Sequence, residues 1–131
     1  MYSVCWSQAK KKIPILGTTH ADYWYNDIKV TRSLTKTEIK KNYEKNIGKS
    51  ITELFNPNNI IDNRGVLVAN HGGFCWGSSA LEAFKNFERL EFVAELAFKT
   101  LLINKKNKIS KELIGKHFFR KNGTKAYYGQ V

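Results

Sequence analysis

Residues 65–103 constrain the fold more than any other stretch, because they have the pattern of a buried strand, a glycine pair and one long helix. Val66 to Ala69 is a short apolar run rich in β-branched residues, as expected of a buried central strand. Gly72 and Gly73 then predict a sharp turn, since residues without a Cβ tolerate positive φ angles. The sequence therefore predicts a strand–turn–helix unit at the centre of the domain.

One histidine, His71, falls at the end of that strand and directly before the glycine pair. Open α/β sheets bind ligands beyond the carboxyl ends of their strands, so a histidine at this position is a candidate site residue. A histidine in such a turn is about as often purely structural. The residues alone leave both interpretations open.

The segment after the turn has the pattern of one long amphipathic helix. Ser79, followed three residues later by Glu82, predicts a capping box at its start. At ~1.5 Å per residue the helix would be roughly 35 Å long, enough to cover a whole sheet. Apolar residues at helical spacing form one wide stripe on it: Leu81, Phe84, Phe87, Leu90, Val93, Ala94, Ala97, Leu101 and Leu102. We expect it to be the main packing helix.

Length and cysteine usage restrict the class of protein. A chain of 131 residues is one domain by length, and 42% apolar residues indicate a globular fold. No apolar run approaches the ~20 residues that span a bilayer, and the N-terminus lacks a signal-peptide pattern. Cys5 and Cys75 are far apart, without CxxC spacing. This favours reduced thiols in a cytoplasmic protein with no membrane partner.

The formal charge of +11 suggests an anionic partner. Eighteen of the 22 basic residues are lysines, and they are scattered along the chain. Nucleic-acid surfaces usually depend on clustered arginine and aromatic platforms, so the pattern disfavours a nucleic-acid function. A basic protein still attracts small phosphorylated substrates.

Before residue 65 the sequence predicts short elements separated by polar turns. A helix tail over residues 2–12 would carry Tyr2, Cys5, Trp6 and Ala9 on one face. The other expectations are an extended segment at 13–16, a loop at 17–25, a strand at 28–32 with Lys29 and Thr31 outward, a capped helix from Thr35 to Gly48, a strand or helix at 49–55, and a turn at 56–59.

The predicted loop at 17–25 combines hydroxyls, an imidazole, a carboxylate and three aromatic rings, which is unusual in a plain connector. Asp22 alone is compatible with an Asx turn, in which aspartate bonds its own backbone. Its neighbours Thr18, His20 and Tyr23 favour a catalytic role to a moderate degree. His20 itself is more often a structural loop histidine than a ligand.

The C-terminal part begins with a solvated connector after Ile103. Ser110 is expected to cap a short helix that includes His117 and ends before Asn122. The tail that follows is aromatic. Two adjacent tyrosines so close to the end suggest that the tail docks on the protein.

Three motifs, GTTHADYW, GVLVANHGGFCWG and HFFRKNGTKAYYGQ, resemble in order and spacing those of the L-ribulose-5-phosphate 4-epimerases, in the class II aldolase/adducin family. The resemblance runs from about Ile13 to Gln130. It implies a three-layer α/β/α class II aldolase-like fold, here as one incomplete domain, 1–131, that lacks its N-terminal portion. It also implies a cytoplasmic homotetramer with active sites at the subunit interfaces. The implied reaction interconverts L-ribulose 5-phosphate and D-xylulose 5-phosphate in pentose catabolism.

The resemblance also implies roles for individual residues. His71 matches a zinc-ligating histidine, with one Zn²⁺ per site. Asp22 and Tyr128 match the two acid/base groups, the tail reaching into a neighbouring subunit's site. The implied chemistry is retro-aldol cleavage of the C3–C4 bond, with zinc holding the enediolate. Further matches surround the site or its phosphorylated pentulose substrate: Thr18, Glu44, His117 and Arg120.

The family's other zinc ligands, a His-x-His pair and an acidic residue, come from an N-terminal half that has no counterpart in this chain. A catalytic zinc site needs about three protein ligands, and His71 supplies one. The expectation is therefore the C-terminal half of an epimerase, with a separate N-terminal half as a possible partner. Two alternatives stay open: a related sugar-phosphate aldolase, and a non-catalytic remnant or one half of a split enzyme.

Overall fold

The computed structural model describes residues 1–56, 58, 60 and 63–129. These residues form helices around a small sheet. Their elements, in chain order, are α1 Tyr2–Gln8, α2 Thr18–Ala21, α3 Lys36–Lys40, α4 Tyr43–Thr52, β1 Gly65–Val68, β2 Gly72–Cys75, α5 Ala80–Ile103 and α6 Lys111–Lys121.

The central strand is confirmed, since all four residues of β1 are buried. β1 pairs antiparallel with β2, so that Gly65 lies opposite Cys75 and Val68 opposite Gly72. Helices α1 and α5 pack against this hairpin, and α4 contacts β1. Of the sheet expected in a three-layer α/β/α domain, the described residues contain these two strands.

The turn predicted at the glycine pair is wrong. Both glycines belong to β2, and the chain reverses over residues 69–71. Asn70 makes this turn possible with a φ of 62°, a left-handed conformation that asparagine adopts more readily than most residues. Gly73 has a different reason to be glycine: an added Cβ would lie 2.5 Å from Cδ2 of Leu90 in α5.

The strand predicted at 28–32 is present only as an extended segment with isolated bridges. Val30 bridges Leu67 in parallel, with the Thr31 N–H donating to the Leu67 carbonyl at 2.8 Å. Thr31 is buried, so the prediction that it points outward is wrong. Its hydroxyl accepts from the Ala69 N–H at 3.0 Å, satisfying an amide just beyond the end of β1.

The extended segment predicted at 13–16 is confirmed by an antiparallel bridge between Ile13 and Ile28. Both side chains are fully buried in the core. The core cluster joins this N-terminal part to β1 and α5: Ile13, Trp24, Ile28, Leu67, Leu90, Val93, Ala94 and Ala97.

The 24 residues of α5 confirm the long packing helix, but only the middle of the predicted stripe is buried. Leu81, Phe84 and Leu102 are 62%, 60% and 66% exposed. Only half of the predicted capping box forms. The Ser79 hydroxyl accepts from the Glu82 N–H at 3.1 Å, while the Glu82 carboxylate accepts from the backbone N–H and hydroxyl of Ser78.

The helix tail at the N-terminus is present as α1, but its predicted face is only partly correct: Tyr2 and Trp6 pack against the core. Ser3 and Ser7 are fully buried, whereas Cys5 and Ala9 are exposed. Hydrogen bonds explain why the two serines are buried: the Ser7 hydroxyl donates to the Val68 carbonyl at 2.7 Å, and the Ser3 hydroxyl donates to the carboxylate of Glu91. Small hydroxyls thus let α1 lie close to the hairpin.

Two further segments differ from the predicted pattern. The loop expected at 17–25 contains the one-turn helix α2. The capping box between Thr35 and Glu38 is confirmed, but that helix breaks at Asn42, which has a φ of 56°. It resumes as α4 and continues past Gly48 to Thr52, so residues 49–52 are helical.

In the turn predicted at 56–59, the Asn58 N–H donates to Oδ1 of Asn56 at 3.0 Å. Residues 57 and 59 of that turn lie outside the described residues. Among the described helices, none is both long and apolar enough to cross a membrane.

The C-terminal helix and the docked tail are both confirmed. The Ser110 hydroxyl caps α6 by accepting from the Leu113 N–H, and α6 ends before Asn122. The backbone N–H groups of Tyr127 and Tyr128 both donate to the Arg120 carbonyl, at 2.8 and 2.9 Å. Helix α6 packs against α2. The C-terminal part of the chain therefore lies next to residue 22, which directly follows α2.

Candidate active site

Asp22 ends the short helix α2 and is held there by the backbone. Its N–H donates to the Thr18 carbonyl at 2.9 Å, which places Thr18 directly behind it. The Asp22 side chain is 14% exposed. A carboxylate so far withdrawn from water requires charged or hydrogen-bonding partners.

Helix α6 supplies these partners from one face. His117, Arg120 and Lys121 stand at positions i, i+3 and i+4, which lie side by side on a helix. Oδ1 of Asp22 lies 3.0 Å from Nδ1 of His117 and 3.5 Å from Nη2 of Arg120. Oδ2 accepts from Nζ of Lys121 at 2.8 Å. The Asn122 amide donates to the Asp22 carbonyl at 3.1 Å.

These contacts determine the charge of Asp22. Burial acts to raise the pKa of its carboxyl group, but the hydrogen bonds from Lys121 and His117 and the charges of Lys121 and Arg120 together outweigh burial. The pKa of Asp22 therefore lies below its usual value. At neutral pH the group is an ionised carboxylate that can accept a proton.

The tail places Tyr128 next to the same cations. The guanidinium carbon of Arg120 lies 4.3 Å from the centre of the Tyr128 ring, and Nζ of Lys121 lies 5.5 Å from it. Both distances are within the range of cation–π attraction. Tyr128 is about half exposed. Within this one chain, Asp22 and Tyr128 are thus linked through Arg120 and Lys121.

His71 lies apart from this cluster, in the turn after β1. Its N–H donates to the Val68 carbonyl at 2.9 Å, its ring is 5.6 Å from that of Phe74, and its side chain is exposed. It opens onto a cavity of about 550 Å³ between the end of β1 and helices α3 and α4. The remaining lining residues are Thr31, Arg32, Ser33, Leu34, Ile39, Tyr43, Ile47, Ser50, Val68, Ala69 and Asn70.

Two further residues considered from the sequence, Glu44 and His20, lie in different environments. Glu44 is exposed in the first turn of α4, next to Tyr43 of the His71 cavity. His20 is 4% exposed, with the edge of its ring toward Trp24. Burial lowers the pKa of His20 to about 4, against a smaller opposing effect of Asp27. His20 is thus a buried neutral imidazole, but its Nε2 has no hydrogen-bond partner among the described residues, which the structural role expected for His20 does not explain.

The described residues do not form a complete metal site. No three histidine, cysteine, aspartate or glutamate side chains among them come together in a metal-binding group. His71 is the one candidate zinc donor from the resemblance, and its cavity brings it no second donor of the kind that a three-ligand zinc site requires. The residues present therefore do not fit the metal by themselves.

Lys121 belongs to the cluster but was not among the residues singled out from sequence. It is one lysine among eighteen, and nothing in its immediate sequence marks it. The available signal was its position four residues after His117 on a predicted helix. Any partner of His117 on that face lies within reach of Lys121 as well.

Comparison with known proteins defines the class. The family model for the class II aldolase and adducin N-terminal domain matches residues 1–98. The chain therefore belongs to the class II aldolase/adducin family. Its structure is similar to that of an L-fuculose 1-phosphate aldolase, with a TM-score of 0.63 and 20% sequence identity. This match covers 88% of the present chain and 50% of the aldolase, so the chain spans about half the length of that protein.

Proposed function

We propose that the chain is the C-terminal part of an L-ribulose-5-phosphate 4-epimerase and carries its acid/base groups. The observation that supports this most is the meeting of Asp22, His117, Arg120 and the Tyr128 tail. These residues come from two sequence motifs, with Asp22 and Arg120 98 positions apart. A third motif carries His71 to a separate cavity.

The chemistry proposed for these residues is proton transfer at the C4 oxygen. One of the two groups, Asp22 or Tyr128, takes the proton from the C4 hydroxyl as the C3–C4 bond breaks, which leaves an aldehyde and an enediolate. The aldehyde turns over and the bond forms again on its other face. The second group then returns a proton to the C4 oxygen. Asp22 is ionised at neutral pH, as a base must be, and its lowered pKa makes it a weak base that depends on its position next to the substrate.

The charges around Asp22 suit a phosphorylated substrate. Arg120 and Lys121 face one carboxylate, so positive charge is in excess there. The chain as a whole has a formal charge of +11. Both features attract a sugar phosphate and support its capture.

The complete site in this proposal needs more than the described residues. His71 would be one ligand of a Zn²⁺ ion, the others coming from an N-terminal half that binds as a partner. We further propose a cytoplasmic homotetramer with interfacial sites. The resemblance has the Tyr128 tail reach into a neighbouring subunit's site, whereas in this chain the Tyr128 ring lies against Arg120 and Lys121 of its own chain. The proton-transfer steps above involve this chain's own residues only.

A second candidate is cleavage without epimerisation, as in an aldolase. It is a candidate because a solved structure that shares this fold, at 20% identity, is an L-fuculose 1-phosphate aldolase. A third candidate is a non-catalytic remnant.

Metal analysis and product analysis together test the proposal. The chain is purified with its matched variant His71→Ala, alone and mixed with an N-terminal half that carries a His-x-His pair. We expect zinc and epimerase activity in the mixture, and loss of zinc in His71→Ala. Accumulation of glycolaldehyde phosphate would support an aldolase instead. Absence of zinc and of any turnover in the mixture would support the remnant.

A further inference from the structure

We propose that Lys121 is a positioning residue for Asp22, holding its carboxylate in a fixed orientation and linking it to the tail. This inference rests on the proposed function, in which Asp22 is one of the two acid/base groups. It adds a residue that the family resemblance does not assign.

The two oxygens of the Asp22 carboxylate have different partners on α6. Nζ of Lys121 bonds Oδ2 of Asp22 at 2.8 Å, whereas His117 and Arg120 contact Oδ1 at 3.0 and 3.5 Å. A carboxylate held at both oxygens cannot rotate about its Cβ–Cγ bond without breaking a contact. Lys121 therefore fixes the direction of the Oδ1 lone pairs.

The pair that Lys121 forms with Asp22 is largely withdrawn from solvent. The side chains of Asp22 and Lys121 are 14% and 25% exposed. Pairs withdrawn from water in this way are screened less by solvent and salt than surface pairs. The Lys121–Asp22 contact is also the shortest that the carboxylate makes with α6.

The Lys121 ammonium also lies near two aromatic rings. Its Nζ lies 5.7 Å from the centre of the Tyr23 ring and 5.5 Å from that of Tyr128. Both are within cation–π range. The same group thus bonds the Asp22 carboxylate and attracts the tail tyrosine, so one side chain links the two proposed acid/base groups.

The test measures the titration of Asp22 itself. The carboxyl ¹³C resonance of Asp22 is followed against pH in the full chain, in Lys121→Gln, in Lys121→Arg and in Lys116→Gln. Lys116 is a matched control, because it lies on the same helix but near the Tyr127 ring. We expect an upward shift of the Asp22 pKa in Lys121→Gln, recovery in Lys121→Arg, and no change in Lys116→Gln.

An Asp22 titration in Lys121→Gln identical to that of the unaltered chain would overturn the proposal. Lys121→Met provides a second neutral variant, since it keeps the apolar stem beside Tyr23. Loss of folding in both neutral variants, seen as collapse of the ¹H–¹⁵N spectrum, would assign Lys121 a structural role and also overturn it.

Kinetics then separate this inference from the proposed function. In an active epimerase assembly, Lys121→Gln should move the acid limb of the pH profile of kcat/KM to higher pH, and Lys121→Arg should restore it. An unmoved limb would count against the positioning role. Absence of activity in the unaltered assembly would instead contradict the proposed function, while the ¹³C titration still decides the role of Lys121.

Discussion

The pKa of Asp22 is lowered by residues almost a hundred positions later in the chain. Lys121 lies 99 positions away in sequence and 2.8 Å away in space. The backbone of α2 determines the position of the Asp22 main chain, and α6 supplies the side chains that orient its carboxylate. The properties of this residue therefore depend on tertiary packing and not on its local sequence.

Removal of the Asp22 charge should abolish most catalysis without loss of metal. Asp22→Asn keeps the size of the side chain but cannot accept a proton as a carboxylate does. In an active assembly we expect kcat to fall by roughly 10²- to 10⁴-fold, the usual contribution of a general acid or base. Tyr128→Phe should act in the same direction. Zinc content is the control, and its loss in either variant would contradict the assignment.

His20 should make the stability of the chain depend on pH. Its pKa is lowered to about 4 in the folded protein, so the unfolded chain binds a proton that the folded chain resists. Stability should therefore be unaffected by His20 above pH ~6.5 and fall as pH drops from ~6.5 to ~4. At ~1.4 kcal/mol per pH unit the loss is about 3 kcal/mol at most.

Urea unfolding at pH 7 and pH 5 measures this effect in the unaltered chain and in His20→Gln, which cannot titrate. The variant should lose less stability between the two pH values. His71→Gln is the control, because His71 is exposed. Equal pH dependence in the unaltered chain and in His20→Gln would show that burial of His20 does not contribute.

At the scale of elements, the packing of α5 on the hairpin depends on Gly73. A Cβ there would lie 2.5 Å from Leu90 and 3.4 Å from Phe87. We expect Gly73→Ala to destabilise the fold by about 1–3 kcal/mol, as overpacking does in other cores.

Gly48 is the matched control for this prediction. It lies within α4, and an added Cβ meets nothing within 4 Å. Gly48→Ala should stabilise the chain by up to ~1 kcal/mol through helix propensity. Thermal unfolding of both variants compares the two effects. Destabilisation by both, or by neither, would contradict the packing described here.

The elements with strong periodic patterns were predictable, and the interruptions between them were not. The buried strand β1, the long helix α5 and the Ser110 cap follow from local sequence. The turn at Asn70 and the break at Asn42 each depend on one residue in the left-handed conformation. The glycine pair led to the turn being predicted two residues too late, and the helical spacing of Ile39 and Tyr43 led to one continuous helix being predicted across Asn42. The burial of Thr31 depends on an amide of another element.

The candidate site was predictable to a different extent. The resemblance singled out Asp22, His117, Arg120 and Tyr128, and the folded chain brings these four near one another. The contacts among these residues cannot be predicted from the motifs, because they form only when α6 packs on α2. Lys121 was missed for this reason.

At the scale of the whole molecule, the chain exposes much apolar surface on α5. Phe84 is 60% exposed, Phe92 51% and Ile103 88%. Such residues along one helix favour association with another protein surface. We therefore expect the chain alone to self-associate as its concentration rises, measured by light scattering after size-exclusion chromatography.

Charge placed on this surface should reduce the association. Phe84→Lys with Phe92→Lys is the test variant, and Thr37→Lys, on the exposed side of α3, is the control for added charge alone. Addition of an N-terminal half should have an effect similar to that of the test variant. A monomer at all concentrations would contradict the prediction.

The central claim, an epimerase whose acid/base groups lie in this chain, is tested most directly by following L-ribulose 5-phosphate by ¹³C NMR. The chain is incubated with zinc and an N-terminal half, and Asp22→Asn is assayed beside it. The account predicts conversion to D-xylulose 5-phosphate by the unaltered chain, with a large loss in Asp22→Asn. No conversion, or equal conversion by Asp22→Asn, would contradict it.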